Sequence, residues 1–352
     1  MANLAFSHGG NIYEVKRKFK KEVVDFSANI NPLGLPLALR RLLSEGFDKI
    51  QHYPDPKARD ITKAIAKYWG VSDENILLGN GSIELIYLII SAYRPKTTLI
   101  PVPTFSEYER VAKSVNSKIH FLKLKEKQGF SLNLGHFNPS SFDIFFICNP
   151  NNPTGNLILK NSSQIEKIAD KLLVVDEAFM DFLPNQGDYT LIRKAAKKKR
   201  IAVLRTFTKF FSLPGLRIGY IVAHREVINK LRQYQAPWSI NSLAQIAAEK
   251  ILNNKEYISK TYTLIEKERS FLLRRLAKTK GLKVYPSVAN FLLIKIEKPG
   301  ITSKFLKELL IKKGVLIRDC GNFRNLGDNY IRVAVRTHKE NLKLLAALKD
   351  AI

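Results

Sequence analysis

The stretch "LRTFTKFFSLPGLRIGY", residues 204–220, decides how the chain is read. An apolar run ends inside it, Thr206, Thr208 and Lys209 crowd together, a Pro-Gly turn follows, and a second apolar run begins beyond Arg217. Hydroxyls and a guanidinium suit a phosphate dianion, while a lysine in a dry, cationic site has its pKa lowered and becomes a usable nucleophile. Taken alone, Lys209 reads first as an ordinary surface lysine, because the chain carries 58 Lys and Arg in all.

Outward from this stretch the pattern repeats. Between residues 70 and 225 the β-rich runs "NILLG", "TTLIPV", "KIHFLKL", "DIFFICN", "KLLVVDEAF", "RIAVLRTF" and "RIGYIVA" alternate with helical segments or loops. Such alternation predicts an α/β chain with an open, mostly parallel sheet covered by helices on both faces. Ligands then gather at the carboxyl ends of the strands, where the polar clusters fall. After about residue 240 a long helical region leads into "VANFLLIKI", "GVLIRDC" and "NYIRVAVRT", which predicts a smaller α/β domain. Residues 1–45, rich in turn formers at "DFSANINPLGLP", are too short to fold alone. The expected division is 1–45 joining the small domain, 46–245 as the large domain, and 246–352 as the small C-terminal domain.

Composition excludes several classes. The longest apolar run, around "IELIYLIISAY", contains a glutamate and falls short of the roughly 20 residues that span a bilayer, so no membrane association is expected. The N-terminus lacks the pattern of a secretory signal. Cys148 and Cys320, the only two cysteines, have no metal-ligand spacing, so neither a metal site nor a disulfide framework is expected and a cytoplasmic setting fits. A formal charge of +27 invites a nucleic-acid reading. The basic runs "KRKFKK" (16–21) and "RKAAKKKR" (193–200), however, lack interleaved aromatics or any nucleic-acid motif and read as solvated faces. A positive field still attracts small anions.

Three further clusters could carry chemistry. In "ILLGNGSIELIYLII" a strand runs through Gly81 and Ser82 into a helix, so free N–H groups converge on a plausible phosphate cradle, although a glycine turn before a helix is common. In "NPNNPTG" (149–155) two Asn-Pro pairs make a rigid turn that leaves the Asn152 amide able to donate to a ligand oxygen; a simple tight loop reads equally. In "LLVVDEAFMDF" Asp176 ends a strand buried on both faces and needs a partner, which a salt bridge would also supply.

Joined in this order and spacing, the clusters resemble the fold-type I pyridoxal-phosphate (PLP) enzymes of the aminotransferase class, over essentially the whole chain. The resemblance implies PLP as cofactor, Lys209 as the Schiff-base lysine, Asp176 at the pyridinium nitrogen, Asn152 at the ring hydroxyl and Phe105 stacked on the ring. It implies phosphate contacts from Gly81, Ser82, Thr206, Thr208 and Arg217, and from Tyr53 of a neighbouring subunit, hence a homodimer. Many relatives carry tyrosine three positions after the aspartate, where this chain has Phe179. Within the class, "SHGGNIYEV", "DFSANINPLGLP", "QAPWSINSLAQ", "LIRDC" and "YIRVAVRT" look like the threonine-phosphate decarboxylases of cobalamin synthesis, with the histidinol-phosphate aminotransferases as the alternative. That likeness implies a small phosphorylated amino-acid substrate. It places His8 and Arg318 at the substrate phosphate, Arg332 at the carboxylate, and Asn31 in the same pocket, with Arg336 and Arg324 as weaker candidates. Arg332 and Arg336, four apart on a strand, share a face, and either could instead be a structural ion pair.

Overall fold

The computed structural model describes residues 8–20, 22–133, 141–160 and 171–352. The helices among them are α1 (Ile12–Phe19), α2 (Leu37–Glu45), α3 (Arg59–Trp69), α4 (Gly81–Tyr93), α5 (Glu107–Ser114), α6 (Ile192–Lys197), α7 (Arg225–Arg232), α8 (Ser242–Leu252), α9 (Lys255–Ala277), α10 (Ser303–Lys312) and α11 (His338–Lys349). The strands are β1 (Val24–Asp25), β2 (Ile76–Gly79), β3 (Thr97–Val102), β4 (Lys118–Lys123), β5 (Ile144–Cys148), β6 (Leu172–Asp176), β7 (Ile201–Thr206), β8 (Gly219–Ala223), β9 (Leu282–Val284), β10 (Phe291–Ile296), β11 (Val315–Leu316), β12 (Arg318–Asp319) and β13 (Tyr330–Ala334).

All seven β-rich runs between 70 and 225 form one sheet in the order β2-β8-β7-β6-β5-β3-β4. It is parallel except at β8, which runs antiparallel to both its neighbours. All its strands but the edge strand β4 are buried on both faces, as a sheet covered twice requires. Alternate residues feed two cores: Val203, Val175 and Ile147 point to one, with Ile61, Ile192 and Ala247 of α3, α6 and α8. Leu204, Val174 and Phe146 point to the other, with Leu85, Val111 and Ile228 of α4, α5 and α7.

The period-two rule also places Arg205 beside Val203, inside the first core, where the arginine is 0% exposed. It survives there because Glu177 (2.8 Å) and Asp181 (2.7 Å) neutralise it, Gln186 (2.8 Å) and Thr190 (3.0 Å) accept its remaining N–H groups, and the Trp69 ring lies 4.8 Å away.

The C-terminal part forms an antiparallel sheet in the order β12-β13-β10-β9. Behind it, α9 buries Tyr257, Thr261, Ile265, Glu268, Leu272 and Leu276, a single stripe at helical spacing. The N-terminal segment joins this part through β1, which pairs in parallel with β11, and through the Ala334 N–H, which donates to the Phe26 carbonyl at 2.8 Å. Glu126 ties the two sheets together by accepting from Lys283 (2.8 Å), Tyr285 (2.6 Å), Tyr330 (2.8 Å) and Lys295 (3.0 Å). Among the described residues no helix is long and apolar enough to cross a membrane, and no cluster of His, Cys, Asp and Glu could hold a metal ion. Lys21, the last of the first basic run, lies outside the described residues.

Candidate active site

The carboxyl ends of β5, β6 and β7 open on a cavity of about 220 Å³. Its lining includes Asn152, Asp176, Thr206, Thr208, Lys209, Ser82 and Phe105 from the sheet side, and His8, Arg318 and Arg332 from the other. Residues from four separate sequence clusters thus meet at one point.

The turn after β5 selects one asparagine of three. The Asn149 side chain accepts from the Ile158 and Leu159 N–H groups, at 3.0 and 3.1 Å, and donates to the Leu159 carbonyl at 3.1 Å. Asn151 is spent on the Pro103 carbonyl (2.9 Å) and on Thr104 and Thr154. Asn152 is left facing the cavity, its Oδ1 accepting from Arg332 Nη1. No hydrogen bond engages its amide nitrogen among the described residues, which leaves that donor available in the cavity.

Asp176 ends β6 and is buried. Tyr108 Oη donates to its Oδ2 at 2.6 Å and the Ala178 N–H to its Oδ1 at 3.0 Å. Burial pushes its carboxyl above the ordinary value; the Tyr108 hydrogen bond, the Ala178 N–H and the Lys209 charge pull the other way.

Lys209 has no hydrogen-bond partner for its amine among the described residues, although its backbone is held: the Asn31 N–H donates to the Lys209 carbonyl at 3.0 Å. Burial, then the charges of Arg332 and Arg217, lower its pKa to about 8, against the pull of Asp176. Before it, the Thr206 and Thr208 hydroxyls lie 2.9 Å apart on the cavity wall.

The phosphate cradle expected at Gly81 and Ser82 has matching geometry. Asn80 caps α4 with no side-chain hydrogen bond, which leaves the first N–H groups of the helix open. Gly81 holds φ +74°, and a Cβ there would lie 2.6 Å from Arg217 Nη2. The guanidinium is therefore laid across the helix start. A Cβ on Gly219 would come within 2.6 Å of the Ser82 nitrogen, so glycine is what lets β8 approach the cradle.

On the opposite wall, Arg318 of β12 and Arg332 of β13 are directly paired across the ladder. Like charges so placed repel, and both groups are buried. Burial lowers the Arg332 pKa to about 10 and also depresses Arg318. Arg332 donates to the Ser27 carbonyl at 2.7 Å, while its Nε is buried without a partner. Arg318 donates to Asn322 Oδ1 at 2.8 Å. His8 Nε2 lies 2.7 Å from Glu107 Oε1, with its ring 5.5 Å from Phe105.

Several expected residues fall elsewhere. Asn31, expected in the pocket, does not line it: its amide donates to the Phe210 carbonyl (2.8 Å) and Thr261 (2.7 Å), and its carbonyl accepts from Ser212 (2.7 Å). It clamps the loop beneath Lys209. Asn29, two residues earlier, faces the cavity instead, and its buried Oδ1 is unpartnered. Arg324 is engaged by Glu109 at 2.8 Å and lies over the Phe121 ring, and Arg336 is engaged by Glu340 at 2.8 Å. Tyr53 is 80% exposed and stacks on Trp238 at 4.7 Å, outside the cavity of its own chain. Phe179 lines the cavity and packs edge-on against Phe291 at 4.9 Å. Sequence reasoning missed Asn29, Ser27 and Tyr108. Only Tyr108 left a signal, three residues after Phe105 at a helix start.

The chain matches the family described as aminotransferase class I and II over residues 21–348. It is 36% identical to the threonine-phosphate decarboxylase of Salmonella typhimurium, covering 100% of this chain and 98% of that protein. It is 33% identical to the histidinol-phosphate aminotransferase of Methanocaldococcus jannaschii, covering 94% and 90%. The crystal structure of L-threonine-O-3-phosphate decarboxylase from Porphyromonas gingivalis superposes with a TM-score of 0.81 at 28% identity, covering 92% of this chain and 98% of that one. With its mostly parallel seven-stranded sheet and its cavity at the strands' carboxyl ends, the chain belongs to the class I and II aminotransferase family, of fold-type I.

Proposed function

We propose that the chain is a PLP-dependent decarboxylase that converts L-threonine O-3-phosphate into (R)-1-amino-2-propanol O-2-phosphate for cobalamin synthesis. The observation that carries this reading is the cross-strand pair Arg318 and Arg332: two buried guanidinium groups side by side fit a ligand bearing two anions, here a carboxylate and a phosphate.

The residues present fit PLP. A cofactor phosphate would sit on the open N–H groups of α4, the Ser82, Thr206 and Thr208 hydroxyls, and Arg217. Phe105 would cover the ring, the Asn152 amide would donate to its hydroxyl, and Asp176 would hold its nitrogen protonated. When bound, PLP supplies the ring that accepts the electrons of the broken Cα–carboxylate bond. Everything else falls to side chains. The Lys209 amine, neutral in half its copies near pH 8, is the nucleophile toward an aldehyde and the group able to return a proton to Cα. Arg332 would orient the carboxylate, and His8, Arg318 and the open Asn29 side chain would hold the substrate phosphate. Phe179 contributes no hydrogen bond to the cofactor hydroxyl. Tyr53, exposed and remote from its own cavity, would complete a partner subunit's phosphate site in a homodimer. The two cysteines are buried and free, consistent with a cytoplasmic setting.

A second reading, transamination of histidinol phosphate, is favoured by the likeness to the M. jannaschii enzyme. One assay separates the two. Carbon dioxide released from O-phosphothreonine in the presence of PLP supports decarboxylation; consumption of 2-oxoglutarate with an amino donor, and no gas, overturns it. Arg332→Lys tests the arginine pair, because an ammonium cannot make the forked contact. Loss of one charge-assisted hydrogen bond, about 1.5–3 kcal/mol, lowers kcat/KM roughly 10- to 100-fold. An unchanged kcat/KM would remove Arg332 from the carboxylate site.

A further inference from the structure

Tyr108 is held on every side. Fully buried in the first turn of α5, its ring stacks on Phe146 with centroids 5.0 Å apart and planes 6° apart, and meets Phe105 edge-on at 5.6 Å. So held, the hydroxyl donates to Asp176 Oδ2 at 2.6 Å, with the Cys148 thiol beside it. The second carboxylate oxygen takes the Ala178 N–H at 3.0 Å. The charged and titratable groups facing the carboxylate are Tyr108 from α5, Cys148 from β5 and Lys209 from the loop after β7; Arg332 and Arg217 stand behind the lysine.

These partners differ in permanence. The Lys209 charge is half lost near pH 8, and an amine that reacts no longer serves as a free cation. The Cys148 thiol, raised by burial, stays neutral. The Tyr108 phenol is likewise raised, by burial first and by Asp176 next, so it remains a donor at any working pH.

Resting on the PLP reading above, we propose that Tyr108 is a positioning residue. It keeps Asp176 ionised and aimed whatever the state of Lys209, and so sets how tightly, and over what pH range, the chain holds PLP. Tyr108 touches neither substrate nor reacting bond.

The sign follows from Asp176. Burial raises its folded pKa, so the ionised form is present above that pKa and lost as pH falls through it. Removing the hydroxyl raises the pKa further. The test is equilibrium titration of cofactor-free wild type and Tyr108→Phe with PLP across the acid to neutral range. The expected result is roughly 10- to 100-fold weaker binding at neutral pH, the loss of one hydrogen bond to a charged group, with the acid limb moved to higher pH. Infrared spectra of the cofactor-free proteins give an independent readout. Tyr108→Phe shows a protonated-carboxyl band that persists to higher pH than in wild type, and Tyr108→Phe with Asp176→Asn abolishes the difference. Tyr108→His, which keeps a ring N–H, recovers part of the affinity, and Tyr108→Leu does not. Identical PLP affinity and pH profile in wild type and Tyr108→Phe would overturn the inference while leaving the PLP reading intact. A wild type that binds no PLP sinks both.

Discussion

Lys209→Ala is expected to abolish turnover, by roughly four orders of magnitude or more, because one amine serves both as nucleophile and as proton donor. Borohydride reduction in the presence of PLP, followed by peptide mapping, should label the wild type at this position and the variant nowhere. The fold should not suffer. The loop is held by its backbone, through the Asn31 N–H, and by the Asn31 amide on Phe210, none of which involves the amine. The amine itself is a liability: it sits half-buried on the cavity wall, lacks a hydrogen-bond partner among the described residues, and is repelled by Arg332 and Arg217. The melting temperature of the cofactor-free variant should therefore equal or exceed that of wild type, the usual exchange of stability for reactivity at a site. Reaction of the wild-type amine with an aldehyde should rise with pH around 8, the value to which burial and the two arginines bring it. A variant that still turns over substrate would remove Lys209 from the mechanism.

The largest effect on stability is expected at Arg205, behind the sheet from the cavity. Burial opposes its charge, but Asp181 and Glu177 more than offset this, and the guanidinium stays charged. Arg205→Ala leaves two carboxylates uncompensated in the core, at a cost of about 3–5 kcal/mol. Without the arginine, burial holds the folded pKa of both carboxyls above the unfolded value, opposed at Glu177 only by its hydrogen bonds from Thr190 and the Leu191 N–H. The variant's stability is then present at low pH and lost as pH rises, and its deficit against wild type shrinks as pH falls toward the ordinary carboxylate range near ~4. Denaturant melts at several pH values check this. Replacing Arg205, Glu177 and Asp181 together by apolar residues of similar volume should recover most of the loss. A deficit independent of pH would mean that lost packing, and not the uncompensated carboxylates, dominates.

Much of this could be read from the chain before any coordinates. All seven strands of the large sheet were legible as short β-rich runs, and the polar residues that follow β5, β6 and β7 are the ones that now face the cavity. Lys209, Asp176, Asn152 and the two threonines stood out as polar residues at the ends of such runs, whereas Phe105 was placed by the family resemblance. The β9 strand, three residues long with an exposed lysine, gave no such run. Asn31 was placed in the pocket by the family likeness, and nothing in the sequence singled out Asn29. The chain does not stay extended there: the Ile30 N–H donates to the Ala28 carbonyl at 3.0 Å, and the turn sends the two amides in different directions. Tyr108 drew no reading from the sequence, because its hydroxyl meets a carboxylate 68 positions away, a contact that only the folded chain brings about.

The short stretch from Asp25 to Asn31 is bound to both halves of the cavity. Its upper end pairs with β11 and takes Arg332 on the Ser27 carbonyl, and its lower end grips the floor under Lys209. It acts as a common strut: the antiparallel sheet, through Arg332, and the loop that carries the amine are hydrogen-bonded to one continuous piece of backbone. Guanidinium and amine thus take their places from the same seven residues, so the spacing between them is set by one short length of chain.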